Sequence, residues 1–167
     1  MRKVLIIKLK LIGTMVGIIE FTMMVLITIN VYKGCFSSIN TYILLIILFQ
    51  AAFYNRLSGK RPKLLIQKIV ILNILLIIVS FTLLPKYTYV ESKAIAENKY
   101  KNELKHFVEV KSYSNYTIPI RTDGIKEIFM TNRFYYFYFV KNNGEKKYIM
   151  INPSKGNIVE LDDSYWK

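Results

Sequence analysis

Three polar side chains interrupt the apolar N-terminal half of the chain, and they are the groups there that could do chemistry. Glu20, Gln50 and Asn73 each lie inside a long apolar run. An ionisable side chain inside a bilayer costs on the order of 2.5–3.5 kcal/mol on insertion scales, so it usually faces protein or water and has a function. Glu20 and Asn73 both lie about 13 Å into their runs at the helical rise, and we expect them to pair.

Two interpretations of Glu20 stay open. In the first, it is structural and hydrogen-bonds Asn73, which fixes the register of packed helices. In the second, it is the centre of a small transport or channel-like subunit, although one carboxyl is a sparse basis for a transport path. Gly13 and Gly17 form a small-xxx-small motif on the helix face of Glu20, so this face is the predicted helix contact.

The elements that would position these groups are three apolar runs, Leu11–Val31, Ser37–Tyr54 and Leu64–Leu84. About 20 apolar residues span a hydrocarbon core, so the runs predict three transmembrane helices. Four Lys or Arg residues precede the first run, one lies between the first and second, and four lie between the second and third. The positive-inside rule then predicts a multi-pass protein of the plasma membrane with a cytoplasmic N-terminus.

This topology places residues 86–167 outside the cell, as a separate domain from the membrane region of residues 1–85. The net charge is +13, but residues 86–167 carry fourteen Lys and Arg against ten Asp and Glu. The lipid bilayer is therefore the expected partner of the basic N-terminal half. The outer half has no basic face typical of nucleic-acid binding, and we predict no nucleic-acid partner.

The outer region predicts a small α+β domain with one helix on an antiparallel sheet. Residues 90–108 have the apolar spacing of an amphipathic helix. Arg133–Lys141 is the clearest strand, and Asn142–Glu145 provides an Asn-Gly hairpin turn. The other predicted strands are Tyr116–Arg121, Ile125–Met130, Lys146–Ile151 and Asn157–Leu161.

Both faces of the strand Arg133–Lys141 are aromatic. Tyr135, Phe137 and Phe139 alternate with Phe134, Tyr136 and Tyr138. The predicted helix can cover one face, and we assign Phe134, Tyr136 and Tyr138 to a candidate recognition face. This face either binds a partner or is covered by Trp166 and the chain end.

The helix, the tyrosine-rich strand, the Asn-Asn-Gly turn, the strand YIMI and the segment NPSKGNIVEL together resemble a PepSY-type module. The resemblance covers about residues 90–161 and is best over 133–161. It implies a cystatin-like, non-catalytic domain of the kind that restrains peptidases or modulates envelope proteins behind transmembrane helices in Gram-positive bacteria.

Catalytic groups are scarce in this composition. One histidine, His106, and one cysteine, Cys35, cannot supply the usual zinc ligand sets, and no phosphate-binding glycine loop is present. We therefore predict no enzyme activity, no metal and no cofactor. The expected function is recognition of a peptide, a peptidase or a partner membrane protein. The alternatives are the transport subunit and an immunity protein against a membrane-active peptide.

Overall fold

The computed structural model describes residues 2–35, 48, 50, 62–82, 84–108, 110, 112–120 and 133–166. The helices in these ranges are α1 (Arg2–Asn30), α2 (Pro62–Thr82) and α3 (Tyr89–Lys99), with a 3-10 turn at Tyr113–Tyr116. The strands in these ranges are β1 (Leu104–Phe107), β2 (Thr117–Pro119), β3 (Arg133–Lys141), β4 (Lys146–Ile151) and β5 (Ile158–Leu161).

Contacts divide the chain into two units. Unit 1 contains Met1–Leu26 and Ile39–Leu84, and unit 2 contains Ile27–Ser38 and Pro85–Lys167. The last turn of α1 thus belongs to the unit that holds the sheet, whereas our sequence-based boundary at residue 85 left it in the membrane region.

Helix α1 contains a stretch that is long and apolar enough to cross a membrane. Leu11–Asn30 has 20 residues, about 30 Å at the helical rise, which matches a hydrocarbon core. Its exposed apolar side chains include Ile12, Met15, Ile18, Ile19 and Met23. Such a surface avoids water when lipid covers it.

The prediction of three transmembrane helices is wrong, because α1 is the one helix among the described residues that meets the requirement. In α2 the apolar stretch is Gln67–Ile78, about 18 Å at the helical rise, a length typical of a core or re-entrant helix. Our count assigned 21 residues to this run, Leu64–Leu84, which is longer than the apolar stretch in the structure. The predicted second span, Ser37–Tyr54, lies outside the described residues except for Leu48 and Gln50. The predicted multi-pass topology is therefore not supported.

Unit 2 is a five-stranded antiparallel sheet with α3 preceding it in the chain. The strand order is β1-β3-β4-β5, and β2 also pairs with β3. Strand β1 pairs with the C-terminal part of β3 through Phe107 and Phe139, and β2 pairs with its N-terminal part through Ile118 and Phe134. Strand β4 pairs with β3 over Tyr135–Val140, so β1 and β2 share the opposite side of β3.

One face of β3 forms the aromatic core of unit 2. Tyr135, Phe137 and Phe139 are at most 2% exposed, as their alternation predicted. The Phe137 ring centroid lies 4.9 Å from that of Tyr89 at the start of α3, and the Phe139 centroid lies 5.1 Å from that of Tyr100 just after α3. These rings cover the apolar face of the sheet, which the short strands alone would leave exposed.

Helix α3 begins at a capping box that the sequence encodes locally. The Thr88 hydroxyl accepts a hydrogen bond from the Glu91 N–H, and the Glu91 carboxylate accepts one from the Thr88 N–H. Hydrogen bonds from Thr88 lower the pKa of the Glu91 carboxyl.

The prediction that this helix continues to residue 108 is wrong. It ends at Lys99, and Leu104–Phe107 is strand β1. A bulge between Leu104 and His106 lets Leu104 and Phe107 line the same cavity as Phe137. The three-residue spacing that we assigned to a helix is therefore that of a bulged strand.

The remaining strand predictions have mixed outcomes. Arg133–Lys141 and Lys146–Ile151 are confirmed, whereas β2 covers only Thr117–Pro119 of the predicted Tyr116–Arg121. Strand β5 begins at Ile158, one residue later than predicted. The predicted strand Ile125–Met130 lies outside the described residues.

We expect Phe139→Ala to destabilise unit 2 by about 3–5 kcal/mol, because the Phe139 side chain is fully buried between the rings of Tyr100 and Phe107. The matched control is Val159→Ala on the edge strand β5, where the side chain is 41% exposed and the change should stay within about 0.5 kcal/mol. Denaturant unfolding of the full chain in detergent measures both. Equal midpoints for the two variants would contradict this assignment of the core.

Candidate functional site

The second face of β3 carries Tyr136 and Tyr138, two of the three residues predicted for recognition. A tyrosine from the neighbouring strand β4 lies on the same face of the sheet. Tyr148 lies directly opposite Tyr138 in the β3–β4 pairing. Its ring centroid is 5.8 Å from that of Tyr138 and 6.5 Å from that of Tyr136, and the rings of Tyr136 and Tyr148 are nearly parallel, at 7°. The three rings form a continuous aromatic platform, which we call the tyrosine platform.

A cavity of about 250 Å³ opens on the tyrosine platform. Besides the three tyrosines, its lining includes Asn115, Lys146, Ser164 and Trp166. Tyr136 forms the buried floor at 2% exposure, whereas Tyr138 and Tyr148 are half-buried. The Tyr136 hydroxyl and the Ser164 hydroxyl lie 3.2 Å apart, which ties the C-terminal segment to the platform. Burial raises the pKa of the Tyr136 phenol, so it stays a neutral hydrogen-bonding group.

The lining of this cavity includes several hydrogen-bond donors. The Lys146 ammonium and the Trp166 indole are donors only. The Trp166 Nε1 is buried and has no acceptor among the described residues. An unsatisfied buried donor costs about 1–3 kcal/mol. Lys146 is the exposed donor, and it could pair with a ligand that offers carbonyl or carboxylate oxygens while the apolar part of the ligand lies on the tyrosine rings.

Phe134 does not join this cavity. It pairs with Ile118 of β2 at the other end of β3. The candidate recognition face is thus narrower than predicted, since it keeps Tyr136 and Tyr138 and gains Tyr148 from the neighbouring strand. The register of the β3–β4 hairpin is the sequence signal that could have identified Tyr148, because the turn at Asn142–Glu145 places Tyr148 opposite Tyr138.

The polar residues Glu20, Gln50 and Asn73 form a second cluster, and it lies within unit 1. Gln50 Nε2 donates to Glu20 Oε2 at 3.1 Å and to Asn73 Oδ1 at 3.0 Å. Asn73 Nδ2 donates to the Ile69 carbonyl of its own helix at 2.8 Å. The three predicted residues are therefore brought together, but Gln50 links the other two, whereas we expected a direct pair of Glu20 and Asn73.

The predicted glycine motif is part of this cluster. Gly13 and Gly17 are both buried. A Cβ atom on Gly17 would collide with the side-chain oxygen of Gln50. The absence of a side chain at Gly17 is therefore what gives Gln50 the room to reach Glu20 and Asn73.

Cys35 and His106 are the remaining residues that the sequence marked as reactive types. Cys35 is 2% exposed in unit 2, and its thiol donates to the Arg133 carbonyl at 3.0 Å. Burial raises the pKa of the Cys35 thiol to about 12, which makes it a structural group. His106 is exposed on β1 and lines a cavity of about 430 Å³ with Lys93 and Glu97 of α3.

Metal ligands do not cluster in the described part of the chain, where no group of three or more His, Cys, Asp or Glu side chains could hold an ion.

Comparisons with known proteins return no relatives. No protein-family model, no curated protein and no solved structure matches this chain. The function is therefore argued from the geometry of the tyrosine platform and the polar cluster.

We expect Gly17→Ala to destabilise unit 1 by about 1–3 kcal/mol, since the added methyl group displaces Gln50 from its two hydrogen bonds. At an open helix position the same change would stabilise by up to about 1 kcal/mol, so the sign is diagnostic. In a Gln50→Ala background the collision is gone, and the alanine should be neutral or stabilising. Thermal unfolding in detergent of the four chains of this cycle measures the coupling. Equal effects of Gly17→Ala in both backgrounds would contradict the contact.

Proposed function

We propose that the chain is a protein of the bacterial plasma membrane, anchored by α1, in which unit 2 is a non-catalytic recognition domain on the outer surface. Its ligand is a peptide segment, supplied by a peptidase, a partner membrane protein or a free peptide, that lies on the tyrosine platform. The donor-rich cavity of the platform is the observation on which this proposal depends.

The orientation follows from the two ends of α1. Arg2, Lys3, Lys8 and Lys10 precede or begin the apolar stretch, and basic residues favour the cytoplasmic side. One crossing by Leu11–Asn30 then brings the chain out at Val31, where unit 2 holds it through Tyr32 and Cys35. On this proposal the sheet lies on the side where α1 ends, and its contacts with Tyr32 and Cys35 support this.

The same contacts favour a retained anchor over a cleaved signal sequence. Thr28, Tyr32 and Cys35 are at most 8% exposed. The Tyr32 hydroxyl donates to the Pro85 carbonyl, and the Tyr89 N–H donates to the Val31 carbonyl. Cleavage near the end of α1 would remove buried parts of unit 2, which argues that α1 stays attached.

The ligand class follows from the cavity chemistry. Aromatic faces favour contact with apolar or planar groups, while Lys146 and the Trp166 indole are hydrogen-bond donors that require acceptors. A peptide offers both, because its backbone carbonyls are acceptors and its side chains can stack. The charge of Lys146 adds a preference for acidic side chains or a carboxylate. The resemblance to PepSY-type modules stays a prediction, and a peptide-binding role agrees with what it implies.

Fluorescence of Trp166, the one tryptophan of the chain, reports directly on the cavity. We expect the full chain in detergent to show a saturable fluorescence change with a pool of Asp- and Glu-containing hexapeptides. A matched Lys-containing pool should bind at least about tenfold more weakly. Tyr138→Ala should weaken binding of the acidic pool at least about tenfold, or about 1.4 kcal/mol, because it removes an exposed part of the platform.

The control variant is Val90→Ala, which removes an apolar side chain that is 72% exposed outside the cavity. It should bind the acidic pool like the unmodified chain. A lack of saturable change with either pool, or equal binding by Tyr138→Ala and Val90→Ala, would overturn the proposal.

A further inference from the structure

The cavity of about 430 Å³ in unit 2 lies between α3 and β1, on the side of β3 opposite to the tyrosine platform. Phe137 lines this cavity, and its side chain alternates along the strand with those of Tyr136 and Tyr138. The volume is within the range of small-molecule sites, about 300–1,000 Å³. The cavity is therefore large enough for a small ligand that is separate from the peptide ligand proposed for the platform.

Aromatic rings form one part of the cavity lining. The Phe137 ring centroid lies 6.0 Å from that of Phe107 and 4.9 Å from that of Tyr89, and the Tyr89 centroid lies 5.1 Å from that of Tyr116. Phe107, Tyr89 and Tyr116 are half-buried, so part of their surface stays accessible. A continuous series of accessible rings favours a ligand with an aromatic group.

The charged part of the lining comes from one face of α3. Tyr89, Lys93 and Glu97 follow at intervals of four residues, so they share one side of the helix, and all three line the cavity. Opposite charges four residues apart often pair on a helix, although Lys before Glu is the less favourable order. Here neither Lys93 nor Glu97 forms an ion pair with a residue that the structure describes.

The Lys93 ammonium instead lies against the aromatic part of the lining. Its Nζ atom is 5.2 Å from the centroid of the Phe107 ring, a distance typical of a cation–π contact. Lys93 is half-buried, whereas Glu97 is exposed. The cavity therefore has one positive and one negative group beside the rings, and the two groups do not neutralise each other by direct contact.

We propose that this cavity binds a small zwitterion with an aromatic side chain, of the chemical class of a free aromatic amino acid. The carboxylate of the ligand accepts a hydrogen bond from the Lys93 ammonium, and its ammonium donates one to the Glu97 carboxylate. The ring of the ligand packs against the aromatic part of the lining.

A ligand with a single charge fits this lining less well. An anion is attracted by Lys93 but repelled by Glu97, and a cation is attracted by Glu97 but repelled by Lys93. A free amino acid carries both charges on one carbon atom and can meet both side chains at once. A residue inside a peptide has lost both charges to amide bonds, so the ligand class differs from that of the platform.

Equilibrium dialysis of the full chain in detergent against radiolabelled L-phenylalanine tests the proposal. We expect saturable binding of one molecule per chain. Each of three unlabelled competitors lacks one feature: 3-phenylpropanoate lacks the ammonium, 2-phenylethylamine lacks the carboxylate, and glycine lacks the ring. Each should compete at least about tenfold more weakly than unlabelled L-phenylalanine.

Two variants test the charged side chains directly. Lys93→Gln and Glu97→Gln should each weaken L-phenylalanine binding at least about tenfold, because each removes one charge-assisted hydrogen bond. The matched controls are Lys99→Gln and Glu103→Gln, which remove the same charges at exposed positions outside the cavity lining. Lys99 also lies over a ring, 5.1 Å from the Tyr100 centroid, so it controls for the loss of a lysine–ring contact. Both controls should bind like the unmodified chain.

The proposal is overturned if the unmodified chain shows no saturable binding of L-phenylalanine, or if any of the three competitors is as effective as L-phenylalanine. It is also overturned if Lys93→Gln or Glu97→Gln binds like its control. The competitor series uses the unmodified chain, so the proposal stays testable even if a variant does not fold. Hexapeptide binding at the tyrosine platform is measured separately, through Trp166 fluorescence.

Discussion

Hydrogen bonds join the sheet of unit 2 to the residues at the end of α1, and the proposed location of unit 2 depends on them. Cys35 donates to the Arg133 carbonyl at the start of β3, and the Tyr89 N–H at the start of α3 donates to the Val31 carbonyl. Burial keeps the Cys35 thiol protonated up to a pKa of about 12, so the thiol remains a donor at any physiological pH. These contacts join the sheet to the residues that follow α1 in the chain. The location proposed for the tyrosine platform therefore depends on the orientation of a single helix.

Aromatic side chains on both faces of β3 contribute to the core of unit 2 and to the tyrosine platform from one nine-residue strand. The face with Phe137 and Phe139 is covered by rings from α3 and β1, which is how unit 2 forms a core without a disulfide. The opposite face has no helix in the described chain. There the C-terminal segment with Ser164 and Trp166 covers Tyr136 in part and leaves Tyr138 and Tyr148 accessible. The partial cover leaves hydrogen-bond donors beside half-buried rings, and the proposed peptide ligand depends on this arrangement.

Local patterns predicted the features that depend on neighbouring residues in the chain. The alternation in Arg133–Lys141 gave the correct faces, and the apolar length of Leu11–Val31 corresponds to the stretch in α1 that could cross a membrane. The errors arise where residues that are distant in the chain determine the local structure or the contact. Residues 104–107 have helical spacing, yet pairing with β3 and a bulge make them a strand. No neighbouring residue in the chain indicates the partner of Cys35, because Arg133 lies 98 positions away. The link that Gln50 makes between Glu20 and Asn73 likewise depends on a fold that no periodicity encodes.

The most direct test of the account is the side of the membrane on which unit 2 lies. Lys155→Cys places a thiol at an exposed turn of unit 2, and Lys8→Cys places one near the start of α1. Cys35 remains as a silent background, because it is 2% exposed and protonated at neutral pH. With a membrane-impermeant maleimide on intact cells, the account predicts labelling of Lys155→Cys at once and of Lys8→Cys only after permeabilisation. Labelling of Lys155→Cys only in permeabilised cells would contradict it.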